Sequence, residues 1–240
     1  MFTPQKHNIY HKVQMFDLLS AILRNSFLVE SLMFKGGTYA SLRRVLDRFS
    51  VDLDFDLPLR GKKDDVEGIL YHIFKKLNLN IKAQSKNYLL FQLKYKAPEG
   101  ARNTLKLEIN DSPSKLNTYE KVKLSELNSY CNGHTIDTMV ANKMLAAKGR
   151  FDKKGKISGR DFYDLNYFLR KGFKVNRSVV QDISKVSYKE YISQLINLVE
   201  KNLTERILNE DLNNLLPTSY LNKKLPRIKE ELLFMLKQEI

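Results

Sequence analysis

Apolar positions recur along the chain in two regimes. Up to about residue 134, helix-like and strand-like stretches are interleaved; beyond it every periodic stretch is helical. Residues 12–30 place Phe16, Leu19, Ile22 and Leu23 on one helical face. Residues 34–38 read as strand end, turn and helix start, because paired glycines permit a backbone that β-carbons would block, and a short helix is expected over 38–46. Residues 51–57 alternate as a strand and stop at Pro58. Over residues 64–77, Val66, Ile69, Leu70, Ile73, Phe74 and Leu77 keep the spacing of an amphipathic helix. Asp64 and Asp65 open that helix and Lys75 and Lys76 close it, as the helix dipole favours.

Three strands are expected over 80–84, 88–96 and 103–110. Leu89, Phe91, Leu93 and Tyr95 share a face of the second, and Leu105, Leu107 and Ile109 a face of the third. Ala97-Pro98-Glu99-Gly100 is the turn between them, and a further extended piece falls at 122–124. Helices follow at 135–148, 160–170, 179–186, 188–201, 205–216 and 226–237, with a Gly- and Lys-rich loop over 149–159. No repeat or low-complexity tract interrupts them. The expected fold class is α+β: a mixed sheet with helices on one face over residues 1–134, then a helical domain over 135–240 that contributes to the active-site cleft.

Composition narrows the class. With 42% apolar and 10% aromatic residues, 240 residues can bury a substantial core. One cysteine, Cys131, excludes an internal disulfide, has no His or Cys nearby to share a metal, and reads as a buried or half-buried thiol. No apolar run reaches the roughly 20 residues of a membrane span, and the first residues lack a signal-peptide pattern, so a cytoplasmic, membrane-free protein is expected. Lys and Arg number 41 against 27 acids, a net +14 that favours a polyanionic partner. The excess is concentrated between Lys143 and Arg177, where eleven basic residues face three acids, among them Lys153, Lys154, Lys156, Arg150 and Arg160 as RNA-binding candidates.

The chemistry centres on residues 34–57. Asp52, Asp54 and Asp56 are spaced by two, so a strand directs all three to one face and Leu53, Phe55 and Leu57 to the other. On its own, Asp-x-Asp suits a solvated edge strand. Glu108 lies between Leu107 and Ile109, so it projects with the aspartates if the two strands pair. Asp52, Asp54 and Glu108 would then supply hard oxygen ligands for Mg²⁺ or Mn²⁺, with substrate phosphates and water completing the shell; Asp111 is a lower-ranked third ligand. Gly36-Gly37-Thr38 offers free amides and a hydroxyl suited to a triphosphate. Farther on, Lys143 lies on the stripe of Ile136, Val140 and Ala147, where it either reaches to solvent or faces an anion in a cleft. Asp161 and Asp164 share a helix face, with capping or pairing to Arg160 as the structural explanation.

Phe34-Lys-Gly-Gly-Thr38, then Arg48-Phe-Ser-Val-Asp-Leu-Asp-Phe-Asp56, then Asn142-Lys-Met-Leu145 and Gly159-Arg-Asp-Phe-Tyr-Asp-Leu165, together resemble the AbiE-type (AbiEii/AbiGii) abortive-infection nucleotidyltransferase toxins. The likeness spans about residues 12–170. It implies a polymerase-β-type nucleotidyltransferase core, in which Gly36, Gly37 and Thr38 hold the nucleotide phosphates and Ser50 helps position them. Lys35 and Arg48 join that nucleotide-binding set. Asp52 and Asp54 would hold the metal, Lys143 would contact the nucleotide, and Asp161 or Asp164 would complete the centre. Thr38 stands where the wider superfamily commonly has serine, and it keeps the hydroxyl.

The expected reaction is transfer of NMP from an NTP to RNA, with the tRNA 3′ end as the acceptor the resemblance implies and a separately encoded antitoxin as partner. Two rivals remain: an idle nucleic-acid- or antitoxin-binding module on the same scaffold, and a metal-dependent nuclease, which leaves the Gly-Gly-Thr turn unexplained. His7, His11, His72 and His134 lack zinc spacing, and no nucleophile elbow or Walker loop is present.

Overall fold

A computed structural model describes residues 8–59 and 61–240; His7 and the signal-peptide expectation for the N-terminus lie outside them. The chain folds into two compact units that divide between His134 and Thr135.

In the first unit, α1 (Ile9–Arg24), α2 (Ser26–Ser31), β1 (Met33–Lys35), α3 (Gly36–Leu42), β2 (Asp52–Asp56) and α4 (Lys63–Lys76) precede five strands. These are β3 (Asn80–Gln84), β4 (Leu89–Lys94), β5 (Thr104–Asn110), β6 (Tyr119–Leu124) and β7 (Ser129–His134). All seven form one mixed sheet in the order β3-β4-β5-β2-β1-β7-β6. Parallel pairing joins β2 to β5 and β1 to β7; the other neighbours are antiparallel.

The two sheet faces differ in kind. Leu53, Phe55, Leu89, Phe91, Leu93, Leu105, Leu107 and Ile109 are buried, and Tyr71 and Phe74 of α4 set their rings edge-on to Phe91. Phe34 stacks on Phe55 across the β1–β2 pair, with ring centroids 4.7 Å apart. The opposite face carries the charged positions of β2 and β5.

The first expected helix is two: Asn25 takes an extended backbone and its side chain accepts the Leu28 amide at 3.0 Å, capping α2. The buried face of α1 is His11, Met15, Leu18, Leu19 and Ile22, rotated from the Phe16/Leu23 face the spacing suggested. Strand β7 has no counterpart in the sequence reading. It pairs between its hairpin neighbour β6 and β1, which is distant in sequence. Cys131 within it is buried, and burial pushes its thiol up to about 12.

The second unit is helical: α5 (Ile136–Lys154), α6 (Gly159–Arg170), α7 (Arg177–Ser184), α8 (Tyr188–Asn202), α9 (Glu205–Leu212) and α10 (Thr218–Lys237). Helix α6 is the hub, contacting α5, α9 and α10. The expected 149–159 loop is mostly helix. Gly149 is absorbed at a cost of about 1 kcal/mol relative to alanine, and α5 stops only at Gly155, which takes the left-handed conformation (φ 62°) of a C-terminal cap. Helix α10 begins well before Pro226 and runs through it, because Leu221, Leu225, Ile228, Leu232 and Leu236 form one continuous buried stripe.

Candidate active site

The short helix α3 follows β1 without a loop. Its first residue, Gly36, has φ +76°, a conformation costly for any residue with a β-carbon. A β-carbon there would lie 2.3 Å from Asp54 Oδ2, and one on Gly37 would lie 2.8 Å from Ser50 Oγ and 3.0 Å from Arg48 Nη2. The glycine turn is therefore pressed against Asp54, Ser50 and Arg48. The residues expected to bind phosphate and metal are in one place.

Pairing of β2 with β5 sets Asp52 opposite Lys106, Asp54 opposite Glu108 and Asp56 opposite Asn110. Residues directly across a ladder share a face, so Glu108 does project with the aspartates. Burial pushes the Asp54 carboxyl up; Lys106 opposes this, Asp52 and Glu108 add to it, and the group settles at about 6. An acid this resistant to ionisation, beside two other acids, is a place where a cation is wanted.

Asp56 has a different fate from its two neighbours. It is fully buried and accepts from Lys35 Nζ (2.6 Å), His134 Nε2 (2.8 Å), Asn117 Nδ2 (3.0 Å), the Tyr119 hydroxyl (3.1 Å) and Asn110 Nδ2 (3.4 Å). Burial works to raise its pKa, but the bonds from His134 and Lys35 outweigh it and hold the carboxylate down at about 2. His134 is buried and kept from protonating by burial; its Nδ1 has no hydrogen-bond partner. Asp56 is thus the anchor of β1, β2, the segment after β5, β6 and β7, rather than a third member of the open acidic row.

Several expected roles change on this geometry. The Thr38 hydroxyl is buried and donates to the Asp52 carbonyl, so its single proton is spent on holding the acidic strand to the turn. Lys35 is bound to Asp56. Arg48 is buried and donates to the Phe49 carbonyl at 2.9 Å. The Glu108 carboxylate is bonded to Lys106, and among the described residues no three His, Cys, Asp or Glu side chains converge as a ready-made metal cage. Asp52 and Asp54, hard oxygen donors two apart on the strand face opposite the apolar one, still fit Mg²⁺ or Mn²⁺, which takes few protein carboxylates and relies on phosphates and water for the rest. Asp111 pairs with Lys63 at 3.2 Å.

Sequence reasoning passed over Lys106 and two histidines. Lys106 is two residues before Glu108, a spacing that on a strand places it on the acidic face. His11, buried and lowered to about 4 by burial, sits 2.6 Å from the Tyr95 hydroxyl and 2.7 Å from the Val51 carbonyl, fixing the backbone just before Asp52. No local pattern marks either histidine, since their partners are far along the chain.

The second unit has its own charged cluster. Lys143 of α5 lies 3.1 Å from Asp161 and 2.9 Å from Asp164 of α6, and Arg150 binds Asp161 through Nε (3.2 Å) and Nη2 (3.1 Å). Asp164 is fully buried and Asp161 nearly so. Lys143, partly exposed, is the common partner of both aspartates. Arg150, expected to bind RNA, is committed to Asp161. Lys153, Lys154 and Lys156 are exposed, and Arg160 is half-buried.

A mixed sheet thus sets the Gly36-Gly37 turn against Asp54, with Asp52 two residues before it on the same strand. The chain belongs to the AbiEii family: the family model described as "Nucleotidyl transferase AbiEii toxin, Type IV TA system" matches residues 17–231. The protein is accordingly a nucleotidyltransferase of the toxin family of type IV toxin–antitoxin systems, a membership that implies a nucleotide substrate and an antitoxin partner. No curated protein matches the chain.

Solved structures share the fold. JHP933 from Helicobacter pylori is 17% identical with a TM-score of 0.56, over 99% of this chain and 96% of that one. An H. pylori protein solved as a candidate nucleotidyltransferase is 19% identical with a TM-score of 0.59, over 98% and 95%. MenT4, a nucleotidyltransferase toxin from Mycobacterium tuberculosis H37Rv, is 15% identical with a TM-score of 0.55, over 96% and 85%. Among the described residues no helix is long and apolar enough to cross a membrane.

Proposed function

We propose that the protein transfers a nucleoside monophosphate from an NTP to an RNA hydroxyl, with the 3′ end of tRNA as acceptor, in the cytoplasm and under the control of a separately encoded antitoxin. The observation that carries this reading is the apposition of Gly36 to Asp54 and of Gly37 to Ser50. The turn admits nothing larger than hydrogen there, which sets its backbone against the acid and the hydroxyl.

In the reaction the acceptor oxygen forms a bond to the α-phosphorus while the bridging bond to the β-phosphate breaks and pyrophosphate leaves. The amides of Gly36, Gly37 and Thr38 and the Ser50 hydroxyl bind phosphate oxygens. Thr38 contributes its amide only, because its hydroxyl is occupied. Asp52 and Asp54 would hold Mg²⁺ or Mn²⁺, which when bound would offset charge on the phosphoryl oxygens and the leaving group. Lys143, oriented by Asp161 and Asp164, contacts the nucleotide. The exposed Lys153, Lys154 and Lys156 attract the RNA backbone.

Purified protein incubated with Mg²⁺, total tRNA and each labelled NTP in turn is expected to label and lengthen RNA from one NTP. Shortened RNA would instead indicate a nuclease, and label on protein alone would move the acceptor to protein. Reversing Lys153, Lys154 and Lys156 to glutamate is expected to weaken RNA binding by roughly 10²-fold at low salt and to flatten its salt dependence. NTP affinity should stay unchanged; equal loss of both would remove the RNA-binding assignment. One observation favours the idle-module reading: Lys143 and Arg150 are already neutralised by Asp161 and Asp164. Calorimetry separates the two, since an idle module binds no Mg–NTP.

A further inference from the structure

Lys106 is a basic residue set among the carboxylates of the acidic face. It stands directly across the β2–β5 ladder from Asp52 and two residues before Glu108, on the same side of the sheet as Asp52, Asp54 and Glu108. Its ammonium is bonded to the Glu108 carboxylate. Burial disfavours the ammonium, but that bond and the charges of Asp54, Glu108 and Asp52 all favour it, and they prevail. On its other side, across the β4–β5 ladder, it meets Gln92, which has no charge. Every ionic partner of Lys106 on these strands is therefore a member of the acidic cluster.

A second lysine, Lys35, also acts on Asp54, and the two are held very differently. Lys35 is bound to Asp56, whose side chain is 0% exposed and which four other donors fix in place. Lys106 is bound to Glu108 in a pair whose side chains are 36% and 44% exposed. An ion pair open to solvent is held weakly and exchanges readily, whereas breaking a buried one leaves an uncompensated charge. Lys35 stays; Lys106 can leave. Because a carboxylate bonded to an ammonium cannot give the same lone pairs to a second cation, and a dication is repelled by an ammonium nearby, Lys106 and a divalent ion compete for this cluster.

We propose that Lys106 is the tethered counter-cation of the Asp52–Asp54–Glu108 cluster, which a divalent ion must displace from Glu108 to load. The lysine balances the carboxylates when no metal–nucleotide complex is present, and it sets the concentration of metal at which loading begins. The inference rests on the metal-holding role proposed above for Asp52 and Asp54, and it adds a residue that works against loading.

The test is Mn²⁺ binding to the full chain without nucleotide, followed by the paramagnetic resonance signal of free Mn²⁺ near pH 7.5. Lys106→Met is expected to bind Mn²⁺ on the order of tenfold more tightly than the native chain, as removing a unit charge several ångströms from a dication does even at a water-like dielectric. Lys106→Arg, which keeps the charge, should stay close to the native affinity. Melting in a chelator should be lower for Lys106→Met than for the native chain, and Mn²⁺ should raise it by more. If the methionine variant fails to fold, Lys106→Gln makes the same comparison. Unchanged or weaker Mn²⁺ binding by the neutral variants, with native binding intact, overturns the role of Lys106 alone. No saturable binding by the native chain, or binding undiminished by Asp54→Asn, overturns the metal-holding role of Asp54 and this inference with it.

Discussion

Replacing Asp54 with asparagine is expected to lower nucleotide transfer by roughly 10³-fold, about 4 kcal/mol in the barrier, the upper end of what losing one group that stabilises transition-state charge costs. The same variant is expected to melt higher than the native chain near neutral pH. Asp54 is held at about 6, above its ordinary value, by burial and by Asp52 and Glu108. The fold thus favours its protonated form: the stabilisation this gives is fully present below about pH 4, and it is lost as the pH rises through about 6. At pH 7.5 the native chain carries an ionised, crowded carboxylate that asparagine relieves. The gain in melting temperature should therefore shrink as the pH is lowered from 7.5 toward 4. Activity loss with a pH-dependent gain in stability is the pattern of a side chain kept for chemistry at the expense of the fold. Full turnover by the asparagine variant, or a loss of activity that only tracks unfolding, would refute the assignment.

Why Asp54 was legible in the sequence and Asp56 was not follows from the range of the interactions involved. The alternation of Asp52-Leu-Asp-Phe-Asp56 is local, and the same period-two rule that put Asp54 on a face put Glu108 and Lys106 on it once β2 and β5 paired. Spacing alone treats Asp52, Asp54 and Asp56 as equivalent. What separates Asp56 is its set of partners, Lys35, Asn110, Asn117, Tyr119 and His134, which lie up to 78 positions away and converge only through the β1–β7 and β2–β5 crossovers. Strand β7 escaped notice partly for the same reason, since Ser129-Tyr-Cys-Asn-Gly-His134 has little apolar alternation and pairs with the distant β1 as well as with its hairpin neighbour β6. In the helical unit the period of 3.6 gave Asp161 and Asp164 a common face, and their common partner is Lys143. Helix bounds were harder: Gly149 reads as the start of a loop and Pro226 as the start of a helix, yet burial of the stripes that run past them outweighs the local backbone cost.

Asp56→Ala is expected to cost about 3–5 kcal/mol of stability, because it leaves the Lys35 ammonium, the only charged donor of the five, without its partner and strips four neutral donors of their acceptor at a fully buried position. Lowered melting by roughly 10 °C in calorimetry checks this. Asp56→Asn should fall between the two: it keeps the shape and accepts through one oxygen, but it turns an amide toward donors. The pH dependence has the opposite sense to that of Asp54. Asp56 is held at about 2, below its ordinary value, so its contribution is present above about pH 4 and is lost as the pH falls through about 2. In the alanine variant that acid limb should flatten, whereas the asparagine change at Asp54 alters the limb near pH 6. Two aspartates separated by one residue on the same strand would then differ in sign. Asp54 destabilises the fold it serves and Asp56 holds that fold together, which is why a charge-removing change at one is expected to inactivate a firmer protein and at the other to loosen the strands that carry the site.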